Sequence, residues 1–226
     1  MIYDVMTLFP EIIQGYCSQS ITKRGIEEGI IKVNTHNFRN YSKDKHKKVD
    51  DTPYGGGGGM VLMAQPIFDC YRAIEKCEHS TFIMLTPQGE TYNQKTAVEL
   101  SKYEQIILLC GHYEGFDERI REGLKPREIS IGDYVVTSGE LGALILIDSI
   151  SRNLKGYLGE DICSSNDSFS KGLEGMLEYP QYTKPREFEG MKVPEILLNG
   201  NHKEIEKYRI QQSIERTRLK RPDLLT

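Results

Sequence analysis

Three short segments of the sequence hold residues suited to binding a small molecule. Each follows an apolar run and carries glycine where a chain turns or lies close to a ligand: "TPQG" at 86–89, "CGHYEG" at 110–115 and "IGDYVVTSGELG" at 131–142. In a parallel α/β sheet, ligands bind beyond the carboxyl ends of the strands. The three segments could therefore line one pocket, although each of them alone is more typical of an ordinary strand-to-helix turn.

A run of five glycines at 55–59, within "DTPYGGGGGM", is the most unusual stretch of the chain. It lacks the Lys-Ser/Thr pair that completes a P-loop, and it follows a basic loop rather than a strand. A dinucleotide fingerprint would place GxGxxG directly after the first strand, where the sequence reads "FPEIIQGY". These patterns favour neither an ATPase nor a nicotinamide enzyme. A linker would be oddly placed here, so the glycines indicate a close approach to other backbone or to a ligand.

The composition is that of a globular protein. Hydrophobic residues make up 38% of the 226-residue chain and charged residues 27%, which is too apolar for a disordered chain. The N-terminus has no secretory signal pattern and the longest apolar run, at 141–150, is too short to span a bilayer, so we expect a cytoplasmic protein. The five scattered cysteines form no CxxC and no HExxH is present, which makes a structural zinc site improbable and predicts reduced thiols.

Two basic stretches stand out in a chain whose formal net charge is −4. Segment 39–48 has five Lys or Arg residues and one Asp, and the tail at 203–221 is also rich in Lys and Arg with three acidic residues. Both stretches could hold a phosphate backbone. A solvated loop and a solvated helix face would have the same composition.

Strands alternate with helices along the first two thirds of the chain. The pattern predicts strands at 2–9, 30–38, 81–86, 105–110 and 128–137, and helices from Pro10 to about Lys23 and at 64–77, 94–103 and 138–154. This order indicates an α/β domain with a mainly parallel sheet over residues 1–158. A polar, Ser-rich linker or loop follows at 159–172, and 173–226 forms a small helical domain whose last helix starts at an Asn201 cap and runs to Pro222.

Nine blocks of sequence, in order, resemble the motifs of the bacterial tRNA (guanine-N1)-methyltransferases, the TrmD family of the SPOUT superfamily. They are "TLFPE", "VDDTPYGGGGGM", "LTPQG", "CGHYEGFDERI", "SIGDYVVTSGEL", "IDSISR", "NDSFSKGLE", "YPQYTKP" and "VPEILLNGNHKEIEKYR". The resemblance covers essentially the whole chain. It implies a SPOUT-type α/β fold with a C-terminal deep trefoil knot, which periodicity alone could not suggest because knots are rare.

The resemblance also implies an activity and its partners. The family methylates N1 of the guanosine at tRNA position 37, directly 3′ of the anticodon, with S-adenosylmethionine as methyl donor. Its members are homodimers whose active sites lie between subunits, and they recognise the anticodon stem-loop. The helical domain, the basic loop and, more loosely, Tyr182, Lys184, Asn199 and His202 are the expected tRNA contacts.

Donor-binding residues carry over onto the three glycine-bearing segments. Backbone groups there would satisfy the edge of adenine in a mostly apolar slot. The expected residues are Pro87, Gln88, Gly89, Gly111, Tyr113, Glu114, Gly115, Ile131, Gly132, Tyr134, Val136 and Gly139.

The chemistry needs a general base because guanine N1 carries a proton at neutral pH. The resemblance implies Asp167, in "NDSF", as that base and Arg152, in "DSISR", as the group that stabilises negative charge on O6. It gives Glu114 a lesser role, positioning Arg152 or a Mg²⁺ ion that the family needs. Without the resemblance, Asp167 is typical of a turn residue and Arg152 of a cation at a helix end.

The chain departs from the family pattern at four positions. His112 stands where many members have Arg, Ser138 where Gly is usual, and Gly142 and Gly58 where Pro is usual. Two alternatives remain: another SPOUT methyltransferase acting on ribose or rRNA, which would not need the Asp of "NDSF", and a non-catalytic RNA-binding relative, which would not need Asp167 or Arg152.

Overall fold

The computed structural model describes residues 1–159 and 166–225. Positions 160–165 of the predicted linker, with Cys163 among them, lie outside the described residues. The chain divides into two compact units, Met1–Tyr157 and Leu158–Thr226.

The first unit is an α/β layer structure. Its strands are β1 (Ile2–Thr7), β2 (Lys32–Asn37), β3 (Asp50–Asp51), β4 (Val61–Leu62), β5 (Ser80–Thr91), β6 (Gln105–Leu109) and β7 (Arg127–Ser130). Its helices are α1 (Pro10–Cys17), α2 (Ser20–Glu27), α3 (Ala64–Ala73), α4 (Gln94–Leu100), α5 (Arg119–Leu124) and α6 (Gly139–Ser151), with a 3₁₀ turn at Phe38–Tyr41.

Five of these strands form one sheet in the order β2-β1-β6-β5-β7, and every neighbouring pair is parallel. Ile2 is in register with Lys32 on one side and with Gln105 on the other, and Ser80 is in register with Gln105. The carboxyl ends of β6 and β5 therefore meet at one edge of the sheet. The predicted α/β class with a mainly parallel sheet is confirmed.

The sheet is buried because helices cover it. All five residues of β6 are buried, as expected for a parallel strand with both faces covered. A cluster around Met6, Phe38, Ile67 and Ile107 joins β1, α3 and β6. Each side chain of this size stabilises the fold by about 1.5–3 kcal/mol when fully buried.

Several elements differ from their predicted bounds. The predicted helix from Pro10 is two helices, because the chain bends after Cys17 and Ser20 takes a positive φ of 51°. The predicted strand at 128–137 ends at Ser130, since Gly132 turns the chain with a φ of 142°. The strand predicted at 81–86 resumes at Glu90 after a shift of register, so that 86–89 loops out of the sheet.

The second unit contains one long helix, α7 (His202–Lys220). The unit also contains the hairpin of β8 (Glu187–Phe188) and β9 (Met191–Lys192), and 3₁₀ turns at Lys171–Leu173, Glu195–Leu198 and Pro222–Leu225. Asn201 is the N-cap residue of α7, but within 166–225 its side chain makes no capping hydrogen bond, contrary to the predicted cap. Residues 166–172 of the predicted linker are held in this unit by backbone bonds such as Phe169 N–H to the Met176 carbonyl, 2.8 Å.

Within residues 1–159 and 166–225, no helix is both long enough and apolar enough to cross a membrane.

Candidate functional site

A cavity lies at the carboxyl ends of β5, β6 and β7. Its volume of about 500 Å³ is within the range of small-molecule sites. The three glycine-bearing segments form its walls, and all but one of the predicted donor-binding residues line it: Pro87, Gln88, Gly111, Tyr113, Glu114, Gly115, Ile131, Gly132, Tyr134, Val136 and Gly139.

Gly89 is the predicted residue that is not among those lining the cavity. A Cβ built on it would overlap the carbonyl carbon of Glu128 and the nitrogen of Ile129. Glycine at this position therefore lets the first segment lie directly on β7.

Gly139 brings the third segment into backbone contact with the second. Its N–H donates to the carbonyl of Gly111 at 2.9 Å. A Cβ on Gly139 would lie 2.5 Å from the nitrogen of Gly111 and 2.8 Å from the Cα of Cys110. Only glycine allows this approach, which defines one wall of the cavity.

The glycine run forms the tip of a hairpin beside the same cavity. β3 pairs with β4 on either side of it, and Glu114 N–H donates to the carbonyl of Met60 at 2.9 Å. Gly59 packs against Glu114, since a Cβ on Gly59 would lie 2.5 Å from Cγ of that residue. All the glycines of the run except Gly58 have positive φ. Within the run, the predicted close approach holds at Gly59 only, since a Cβ built at Gly55, Gly56 or Gly58 would meet no atom within 4 Å.

Charged side chains at the cavity come partly from α5, which the sequence did not predict. Arg121 lines the cavity and binds Glu128 through Nε (2.9 Å) and Glu118 through a terminal nitrogen (2.8 Å). Burial lowers the pKa of Arg121, but these carboxylates outweigh it and leave the pKa raised. The available sequence signal was the Glu118–Arg121 spacing of three residues, which puts both on one face of a helix.

A buried carboxylate adjoins the third segment. Glu140 has no exposed surface; the Thr7 hydroxyl donates to its Oε1, and Nε2 of His112 lies 2.8 Å from its Oε2. Burial, and secondarily the Glu140 carboxylate, raise the pKa of Cys110 and keep this thiol protonated. Glu140 was not predicted, and His112 only as a departure from a family pattern.

Arg152 lies far from the cavity of its own chain. Helix α6 runs antiparallel to β1, because Glu140 at its start meets Thr7 at the end of β1, whereas Ser151 at its end is 2.9 Å from the Tyr3 hydroxyl. Thirteen residues at 1.5 Å each separate Gly139 from Arg152 by roughly 20 Å. Within one chain, Arg152 is therefore at the opposite edge of the sheet from the cavity.

The remaining predicted residues are in the second unit. Asp167 is half-buried, and its carbonyl accepts from the N–H of Ser170 at 3.1 Å. The four loosely predicted tRNA contacts, Tyr182, Lys184, Asn199 and His202, are all exposed.

The part of the chain that the structure describes contains no cluster of metal-ligating residues. No group of three or more His, Cys, Asp or Glu residues there could hold an ion. The Mg²⁺ implied by the resemblance therefore has no support from these residues.

The basic loop is tied to its own unit by several of its cations. Lys43 pairs with Asp69 at 2.9 Å, and Arg39 donates to the carbonyl of Lys47 at 3.1 Å. At least some of the positively charged side chains of the basic loop therefore stabilise the loop through these contacts.

The parallel sheet and the glycine-lined cavity at its carboxyl edge define an α/β protein with a cavity where open α/β sheets bind their ligands. Residues 1–226 match the family model described as tRNA (Guanine-1)-methyltransferase TrmD, and the chain belongs to that family, as the sequence motifs predict.

Relatives that match nearly the whole chain support the same family. The chain is similar to proteins named tRNA (guanine-N(1)-)-methyltransferase from Halalkalibacterium halodurans (54% identical, covering 98% of this chain and 90% of the relative) and Clostridioides difficile (53%; 99% and 97%). A third, from Ruminiclostridium cellulolyticum, is 54% identical over 99% of this chain and 96% of its own. By family, the chain is an enzyme of the transferase class.

Proposed function

We propose that the protein transfers the methyl group of S-adenosylmethionine to N1 of the guanosine at tRNA position 37, in the cytoplasm. The observation that carries the proposal is the cavity, which gathers all but one of the expected donor-binding residues from three separate segments. The donor supplies a methyl group on a sulfonium. The fold would be the SPOUT type with a trefoil knot, and the intimate contact of Gly139 with Gly111 fits segments threaded past each other.

The cavity suits the donor by its chemistry. Its walls are largely glycine, backbone and apolar groups, which fit an adenine ring held by main-chain hydrogen bonds. Glu114 also lines it, and a carboxylate there favours a ligand whose sulfonium and amino groups are positive. The charge of Glu118, which lines the cavity too, is paired with Arg121.

In the reaction, the N1–methyl bond forms as the sulfur–methyl bond breaks, and S-adenosylhomocysteine leaves. The N1 proton goes to the Asp167 carboxylate as general base. The Arg152 guanidinium stabilises the negative charge that develops on O6. Holding the two ligands in line supplies much of the remaining acceleration.

A homodimer would bring Arg152 to the cavity. Phe9 and Ile12 at α1 and Leu141 and Ile145 on α6 are large apolar residues with exposed side chains, a surface that a second copy would bury. If the α6 helices of two copies lie antiparallel about a two-fold axis, the Arg152 end of one meets the Gly139 end of the other. Each active site would then combine the cavity of one subunit with Arg152 of its partner.

The two units would divide the work. Residues 1–158 bind the donor and form the dimer, and 173–226, joined by a linker at 159–172, bind the anticodon stem-loop. The exposed cations of α7 would contact phosphates, which position the RNA without specifying its sequence.

The experiment is methyl transfer from labelled donor to tRNA transcripts that carry G or A at position 37. Labelling of the G transcript alone is expected; equal labelling of both would refute the target assignment. Asp167→Asn should keep donor binding, because the carboxylate acts on the guanine, while kcat falls roughly 10²–10⁴-fold. Near-normal turnover by this variant would rule out Asp167 as the base.

A further inference from the structure

The buried carboxylate of Glu140 links three elements that shape the cavity. Thr7 is the last residue of β1, His112 belongs to the second segment, and Glu140 belongs to the third segment, in the first turn of α6. Each carboxylate oxygen has one of these partners: Thr7 at Oε1, and His112 Nε2 at Oε2, 2.8 Å away.

Burial makes both partners necessary. The Glu140 side chain is 0% exposed and that of His112 is 13% exposed. A carboxylate removed from water is unfavourable unless it is paired and hydrogen-bonded, so losing either partner shifts the carboxylate or its surroundings. The ring of Phe9, 4.8 Å from the His112 ring between centroids, limits the other positions that the imidazole can take.

His112 also faces the cavity. It lines the wall between Gly111 and Tyr113, both of which line the cavity too. A movement of its imidazole is therefore transmitted directly to the second segment, and a movement of Glu140 to the third, which is bonded to the second through Gly139.

We infer that Glu140 and His112 are positioning residues for the donor: their buried pair holds the second and third segments at the spacing that an adenosine-bearing ligand requires. The inference rests on the proposed function. Loss of the pair would raise the KM for the donor and the dissociation constant of S-adenosylhomocysteine roughly tenfold to a hundredfold, because displaced segments lose one or two hydrogen bonds to the ligand and about 1.4 kcal/mol of lost binding corresponds to a factor of ten. At saturating donor, kcat would change less.

The chain contains a matched control. Asp4 and His36 form a second buried pair, with 2.7 Å between His36 Nε2 and Asp4 Oδ1 and side-chain exposures of 5% and 23%. The Asp4 carboxylate also accepts from Asn34 and Gln105. Neither Asp4 nor His36 is among the residues that line the cavity of the first unit.

The test compares Glu140→Gln, His112→Ala and His112→Arg with His36→Ala and the wild type in the full-length dimer. Calorimetric titration with S-adenosylhomocysteine, donor KM and kcat, and the melting temperature are measured for each. We expect weakened binding for the first two variants. His112→Arg should bind S-adenosylhomocysteine with an affinity within about threefold of the wild-type value, since a guanidinium donates charge-assisted hydrogen bonds to the Glu140 carboxylate. His36→Ala should lower the melting temperature and leave the donor KM unchanged.

Glu140→Gln and His112→Arg cover the case in which His112→Ala does not fold. Unchanged affinity in folded Glu140→Gln and His112→Ala proteins would overturn the inference alone, as would a His36→Ala variant with an equal loss of affinity. A wild-type protein that bound no S-adenosylhomocysteine would overturn the proposed function, and the inference with it.

Discussion

Replacing Gly139 with alanine should push two walls of the cavity apart. The new Cβ would lie 2.5 Å from the nitrogen of Gly111 and 2.8 Å and 3.0 Å from Cα and C of Cys110. Carbon atoms in contact prefer about 3.5–4.0 Å, so the segments must separate by roughly 1 Å. All three atoms belong to backbone, which cannot rotate away, and the 2.9 Å bond from Gly139 N–H to Gly111 would lengthen.

Overpacking of this kind destabilises a fold by about 1–3 kcal/mol. For a chain of this size, 1 kcal/mol lowers the melting temperature by about 2–4 °C, so Gly139→Ala should lower it by roughly 2–12 °C. The donor KM should rise at the same time, since the contact forms a wall of the cavity.

Gly142→Ala is the matched control, three residues further along α6. Its Cβ would lie 3.3 Å and 3.4 Å from the two terminal methyl carbons of Leu85, so a shift of a few tenths of an ångström in this side chain relieves the contact. Alanine in a helix interior is favoured over glycine by roughly 0.5–1 kcal/mol, so this variant should be neutral or slightly stabilised. Thermal unfolding followed by circular dichroism, with donor KM measured alongside, distinguishes the two. If Gly139→Ala melted and bound donor like the wild type, the close approach described above would be wrong.

Three further predictions concern other parts of the first unit. Gly58→Pro should stabilise the protein by roughly 0.4–1 kcal/mol in urea unfolding, because no atom lies within 4 Å of its Cβ position and its φ is not positive. Gly57→Pro, at a position with a φ of 121°, should destabilise the protein. Equal effects of the two substitutions would contradict this account. Burial raises the pKa of Asp4, but hydrogen bonds from His36, Gln105 and Asn34 outweigh burial and leave the pKa below 3.8. The stability that the ionised Asp4 contributes is present above the pKa of the unfolded state and is lost as pH falls through the pKa of the folded state. In urea unfolding, the loss of stability in Asp4→Asn should therefore be largest near pH 6 and should shrink below about pH 4. A loss of stability that did not vary with pH would refute this account. Glu114→Gln and Arg152→Ala should each lower turnover when expressed alone. Co-expression of the two chains should raise turnover toward about one quarter of the wild-type value, since random pairing makes half the dimers mixed and one site in each mixed dimer is intact. No recovery on co-expression would refute a site shared between subunits.

The sheet was predictable because its strands are apolar runs of the right length. Segment 105–110 is the clearest case, since every residue of β6 is buried. The predicted bounds of helices and strands were wrong where tertiary contacts determine the backbone conformation. The positive φ of Ser20 has no signal in the sequence, and the β-branched residues at 135–137 are typical of a strand although the turn at Gly132 ends it.

The cavity was partly predictable for a related reason. Glycines that follow apolar strands mark the carboxyl edge of a parallel sheet, and this places the three segments together. The pairing of Glu140 with His112 and Thr7 was not predictable, because it depends on how α6 packs along β1, over a hundred residues away in sequence. The same packing puts Arg152 at the far edge, and spacing along the chain carries no trace of it.

The place of β1 inside the sheet, between β2 and β6, has a consequence for synthesis. Its second neighbour, β6, lies about a hundred residues later in the chain, so the strand made first waits on the order of 5–20 s for that partner at ordinary translation rates. During this interval Tyr3, Val5 and Met6, all fully buried in the folded protein, belong to a strand with an unpaired edge. A strand that is almost wholly buried in the folded enzyme is therefore exposed to aggregation in the nascent chain, and a chaperone at the ribosome would protect it during this interval.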